Sequence, residues 1–248
     1  MPCRSRVDFN TKACRLYMQQ PYQPPTQFSV FPPVVKNLLI LNGLFFFAQF
    51  VVQTTGMLPL AHLLNSMAFY APGAPEVGFT IFGTRAEIPG FRPWQLITYA
   101  FLHGGIGHLF FNMFALWMFG AQIENMWGSR RFGIYFFTCV VGAAVAQMFV
   151  MWGAGIPTLG ASGGVYGVLL AFGMMFPNRK IMLLIPPIPI KAKWFVLGLG
   201  AFELYAAITG TQAGVANFAH LGGAIVGLVM IQYWRGKLPW KPKERMYW

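Results

Sequence analysis

The chain has 248 residues, 56% of them hydrophobic, 17% aromatic and only 10% charged. Soluble domains carry about 25% charged residues, so this composition excludes an ordinary soluble domain and implies a polytopic membrane protein. A net charge of +12 would suggest nucleic acid to a soluble chain. Here the basic residues fall outside the apolar runs, where orientation in a bilayer accounts for them and no nucleic-acid partner is implied.

Residues 1–36 hold Arg4, Arg6, Lys12, Arg15 and Lys36 among repeated prolines, and are expected to form a mobile basic tail with no cleavable signal. Cys3, Cys14 and Cys139 show no CxxC spacing and read as free thiols. The first apolar run, about 38–58, is long enough to cross a hydrocarbon core of about 30 Å. Residues 59–97 then form a long proline-rich connection. Its aromatics (Phe69, Tyr70, Phe79, Phe82, Phe91 and Trp94) suit the membrane–water interface. Further spans are expected at about 98–120, 132–152, 159–176, 190–209 and 215–233, six in all, within a unit covering 37–234 and followed by a basic tail over 235–248.

The tail, the 122–131 turn, the 177–193 loop and the end beyond Trp234 hold 16 of the 18 Lys and Arg residues. The positive-inside rule therefore places both termini in the cytoplasm. With that orientation the fourth and sixth spans enter from the outer face, and Ser162 and His220 lie at similar depth in the outer half of the membrane.

Polar and ionisable groups inside spans are candidates for function. His108 and Asn112, four apart, share one face of the second span. With Ser162 on the fourth and His220 on the sixth they converge on one layer. Ser162 stands in Thr158-Leu159-Gly160-Ala161-Ser162-Gly163-Gly164, at the start of a long apolar run, where free backbone N–H groups and the positive end of a helix dipole would face its hydroxyl. A serine becomes a nucleophile with a base in hydrogen-bond reach. Gly223 and Gly227, following His220 as a GxxxG pair, would let the sixth helix approach Gly163, Gly164 and Gly167 closely. His108, Asn112 and the Ser162 amide can then donate to an oxyanion. No aspartate lies in the spans to orient the base, so a Ser-His dyad is favoured over a triad.

These residues resemble the rhomboid family of intramembrane serine proteases. Gly160-Ala161-Ser162-Gly163 matches its Gly-x-Ser-Gly, His108 to Asn112 its His-x-x-x-Asn, and Ala219-His220 with Gly223 and Gly227 its Ala-His and GxxxG. The resemblance implies an all-α, six-transmembrane-helix bundle with Ser162 as nucleophile, His220 as base, and His108, Asn112 and Ser162 as the oxyanion hole. It also implies that Tyr166 packs on the His220 ring, that Asn217 lies near a water-retention site, and that Glu124 is structural, anchoring Arg130 or Arg131. It implies a protease that takes transmembrane protein substrates from the lipid bilayer, with no cofactor, in a bacterial cytoplasmic membrane. One departure concerns the first loop, where the family often carries Trp-Arg. Here Trp94 is followed by Gln95, and Arg92 is expected to take over the structural role.

Glu203, deep in the fifth span, has two readings: a partner for a polar neighbour or a group facing a water cavity at the helix's outer end, or else a proton or substrate contact beside a gate. His103 reads as a hydrogen-bonded structural residue. The G-x-S-x-G match of a soluble hydrolase elbow needs a strand and an open sheet, which a segment between membrane helices cannot supply. No HExxH occurs, which disfavours a metalloprotease, and no metal ligands are assigned. A rhomboid-like pseudoprotease is disfavoured because both Ser162 and His220 are present. A transporter is disfavoured by the lack of an internal repeat.

Overall fold

The computed structural model describes residues 28–182, 187–211, 216–240, 242 and 245–246. Most of the predicted basic tail, and with it Cys3 and Cys14, lies outside them.

Helix α1 spans Pro33–Thr55 and α2 Leu58–Met67. Strands β1 (Val77–Phe79) and β2 (Arg85–Glu87) pair antiparallel, Gly78 opposite Ala86. A short helix α3 (Gln95–Thr98) runs on as a 3₁₀ turn over Tyr99–Phe101. Helix α4 covers Ile106–Trp127, with a π turn at Leu116–Gly120, and α5 covers Ser129–Val150. Helix α6 is Ser162–Met175. A ribbon of β3 (Lys180–Met182) and β4 (Pro189–Lys191) leads to α7 (Ala192–Thr209), and α8 is Asn217–Trp234.

Four of these helices, α1, α4, α5 and α7, are long and apolar enough to cross a membrane, and α6 is a shorter apolar helix. The second span departs from the expected 98–120. Residues 98–101 belong to the preceding short turns, and the helix proper starts only at Ile106. Gly104 and Gly105 interrupt it, Gly105 being fully extended at φ 165°. At its far end the helix runs on to Trp127, so the expected 122–131 turn contracts to Gly128 at φ 79°. Glu124 therefore sits inside a helix, nearly fully buried. Its carboxylate accepts from the Val34 and Val35 amides at 2.9 and 2.8 Å and from the Ser129 hydroxyl at 2.6 Å. It satisfies two of the free N–H groups at the start of α1, where a negative charge is favoured.

The centre of the bundle is α5, α6 and α8, packed through glycines. A Cβ on Gly223 would fall on the carbonyl oxygen of Gly163, one on Gly167 against the Cys139 sulfur, and one on Gly227 against the Tyr135 hydroxyl. Small residues thus bring backbones together where apolar bulk cannot. The 59–97 connection has a small core of its own, in which Leu64, Tyr70, Ile88 and Leu102 are buried with Val52 of α1. Phe69 and Tyr70, expected at the interface, are fully buried in protein, while Phe79 and Trp94 are exposed. Burial also pushes the Tyr70 phenol up, its bond to Asn65 offsetting only part of that rise. The loop is organised by Gln95, not by Arg92. The Gln95 side chain is wholly buried, accepts from the Tyr70 and Arg92 amides at 3.2 Å, and donates to Gly90 O at 2.9 Å and Ser66 O at 3.3 Å.

Candidate active site

The loop before α6 is held from two sides. Phe69 and Thr158 exchange backbone hydrogen bonds of 3.0 and 2.8 Å, and the Gly160 amide donates to Tyr99 O at 3.0 Å. This brings the chain to Ser162, the first residue of α6, with Ala161 at the N-cap. Gly160 has φ 121°, a left-handed conformation that side chains rarely adopt. A Cβ there would also stand 2.7 Å from Nε2 of His108 and 3.7 Å from Oγ of Ser162. The glycine two places before the serine therefore answers both a backbone requirement and the approach of an imidazole.

His220 lies one turn into α8, above the Gly163–Gly223 backbone contact. Its Nε2 is 2.8 Å from Oγ of Ser162. The Tyr166 ring, one turn along α6, stacks on the imidazole with centroids 4.4 Å apart and planes 6° from parallel. The Tyr166 hydroxyl donates to Oε1 of Glu203, and Oε2 of the same carboxylate is 3.0 Å from Nδ1 of His220. Glu203 is thus a partner of polar neighbours, the first of its two sequence readings. No aspartate lies in the spans to orient the base, and a glutamate on the fifth span carries no spacing signal linking it to His220.

His108 and Asn112 line one cavity with Ser162, Tyr166 and His220, of about 1010 Å³. The Gly104 amide donates to Nδ1 of His108 at 3.4 Å. With Nδ1 accepting that bond, a neutral ring carries its proton on Nε2, the atom beside Gly160. Asn112 donates from Nδ2 to His108 O at 2.9 Å. His103 packs edge-on to the His108 ring with centroids 5.0 Å apart. The expected role of His103 as a hydrogen-bonded residue is carried by its backbone. Gln49 donates to its carbonyl and accepts from its amide, both at 3.0 Å, while the buried ring nitrogens have no partner among the described residues. Asn217 is buried at the first turn of α8. The cavity continues as an apolar cleft between Phe111, Ala115 and Met118 of α4 and Phe195 and Leu199 of α7.

An alcohol within hydrogen-bond reach of an imidazole, at a helix N-terminus and beside further N–H donors, is a geometry suited to acyl transfer. These residues lie within the stretch that known proteins share with this chain. A family model described as Rhomboid domain matches residues 90–236. The chain belongs to the rhomboid family. Among curated proteins it is 34% identical to Rhomboid protein 1, mitochondrial, of Saccharomyces cerevisiae, over 61% of this chain and 44% of that protein. Its identity to Rhomboid protease GluP of Bacillus subtilis is 35%, over 54% of this chain and 24% of the relative. For Rhomboid protease GlpG of Yersinia pestis the figures are 29%, 55% and 46%. The chain thus spans less than half the length of these relatives. With its long apolar helices it is an integral membrane protein of mostly helical rhomboid type. Several relatives are named as mitochondrial, and the expected bacterial cytoplasmic membrane draws no support from them.

Proposed function

We propose that this rhomboid chain is an intramembrane serine endopeptidase that cuts transmembrane segments of other membrane proteins. The observation that carries the reading is the 2.8 Å separation of Ser162 Oγ and His220 Nε2 inside a cavity also lined by His108 and Asn112. Ser162 Oγ attacks the scissile carbonyl as His220 Nε2 takes its proton. The tetrahedral oxyanion receives hydrogen bonds from the Ser162 amide, His108 Nε2 and Asn112 Nδ2. His220 then protonates the leaving amine, an acyl-enzyme remains, and a water deprotonated by His220 hydrolyses it.

The helices form a six-span bundle with both termini in the cytoplasm, its first helix starting at Pro33 inside the expected 1–36 tail, and the reactive pair lies in the outer half of the membrane. The substrate helix arrives from the bilayer through the cleft between α4 and α7. A carbonyl inside a helix is hydrogen-bonded and shielded, so cleavage favours small residues at the cut and helix-breaking residues just beyond it. The test is labelling of the detergent-solubilised protein with a fluorophosphonate, with cleavage of a transmembrane substrate measured in parallel. Wild type is expected to label and cleave, and Ser162→Ala to do neither. Equal labelling of both would overturn the reading.

A further inference from the structure

Helix α7 buries only Ala192, Glu203 and Ala206 along its 18 residues. A carboxylate is costly to bury and is kept where something pairs with it. Glu203, 4% exposed, turns both oxygens to the groups that define the base: Oε1 accepts from Tyr166, and Oε2 stands 3.0 Å from His220 Nδ1. Oε2 and Nδ1 meet as a close pair, not as an aligned hydrogen bond, and neither has a hydrogen-bond partner among the described residues. Tyr166 closes the triangle. Its ring lies flat on the imidazole and its hydroxyl reaches the same carboxylate.

From this geometry we infer that Glu203 is a positioning residue for the proposed hydrolysis, the third member of a Ser162–His220–Glu203 relay in place of a two-residue dyad. The inference rests on the serine-protease reading above. With the carboxylate ionised, its charge 3.0 Å away favours the proton on Nδ1, which leaves the Nε2 lone pair for Ser162 Oγ. This is the tautomer that can accept the hydroxyl proton. When Nε2 takes that proton, the imidazolium is stabilised by the adjacent charge while the Nδ1 proton stays on its nitrogen. A glutamine at this position has the same shape, but its amide can donate to Nδ1. That would favour the opposite tautomer, with its proton aimed at the nucleophile.

The experiment uses the full chain in detergent micelles and a fluorophosphonate probe. It separates the maximal labelling rate from the probe's apparent affinity, with thermal unfolding followed alongside. Glu203→Gln is expected to lower the maximal rate on the order of 10²- to 10⁴-fold with little change in apparent affinity or unfolding midpoint. Glu203→Asp keeps the charge and is expected to recover at least about tenfold of that loss, the result a purely structural role would not give. Wild-type labelling by Glu203→Gln overturns the inference, as does a folded Glu203→Asp as inert as Ser162→Ala. Should Glu203→Gln fail to fold, Glu203→Asp decides alone. Wild type that labels no better than Ser162→Ala removes the protease reading itself, an outcome distinct from labelling that depends on Ser162 and ignores Glu203.

Discussion

Helices α6 and α7 are neighbours in the chain, and they are packed by opposite rules. Nine of the 14 residues of α6 are buried, against three of the 18 of α7. Helix α6 is wedged between α5 and α8 through glycines, with Gly163, Gly164 and Gly167 each facing an atom where a Cβ would have to go. Helix α7 presents Trp194, Leu197, Phe202, Leu204, Tyr205 and Ile208 outward, and two of its glycines, Gly198 and Gly200, face open space. The nucleophile and the base ride on the tightly packed pair, so backbone contact fixes their separation. The apolar cleft that suits a substrate borders the loosely packed helix. Rigidity lies where atoms must meet, and slack where the proposed substrate would pass.

Substitutions on each side put this contrast to the test. The largest effect is expected at the reactive pair. His220→Ala should reduce proteolysis by at least about 10⁴-fold, measured by cleavage of a transmembrane substrate, with folding preserved. Asn112→Ala should follow, with a fall in turnover on the order of 10²-fold and little change in KM if it donates to the oxyanion. An equal rise in KM instead would place Asn112 in substrate binding. Gly223→Ala pushes a methyl onto the Gly163 carbonyl and should cost about 1–3 kcal/mol, read as a lowered unfolding midpoint together with weaker fluorophosphonate labelling. Smallest of all, Ile208→Ala on the outward face of α7 should change stability by no more than about 0.5 kcal/mol. A loss there as large as at Gly223 would mean that α7 is held as firmly as α6, and the contrast would fail.

Much of the tightly packed side was legible in the sequence, because there the chemistry and the backbone demand particular residue types at short spacing. Gly160 before Ser162, and Gly223 and Gly227 after His220, are local signals. Each answers one close approach seen in the fold. What escaped was set by contacts between distant segments. Glu203 meets His220 across two helices, and no short motif joins them. Gln95 organises the first loop through four hydrogen bonds to backbone groups of Ser66, Tyr70, Gly90 and Arg92, a task the sequence suggested for an arginine. The apolar run from Thr98 looked continuous, but the paired glycines at 104 and 105 delay the helix to Ile106. Those glycines were the available clue. They were outweighed by the hydrophobicity on either side, which reports burial and says little about where a helix begins.

The placement of Glu203 on the loosest helix carries one more consequence. If α7 swings aside to admit a guest, the carboxylate leaves with it, and His220 keeps the flat support of Tyr166 and its contact with Ser162 but no acid at Nδ1. An open doorway would then coincide with an unarmed serine, and a passing helix that fails to seat, or keeps the door ajar, would drift out uncut. Arming would wait on closure, a safety catch built from a single acidic side chain.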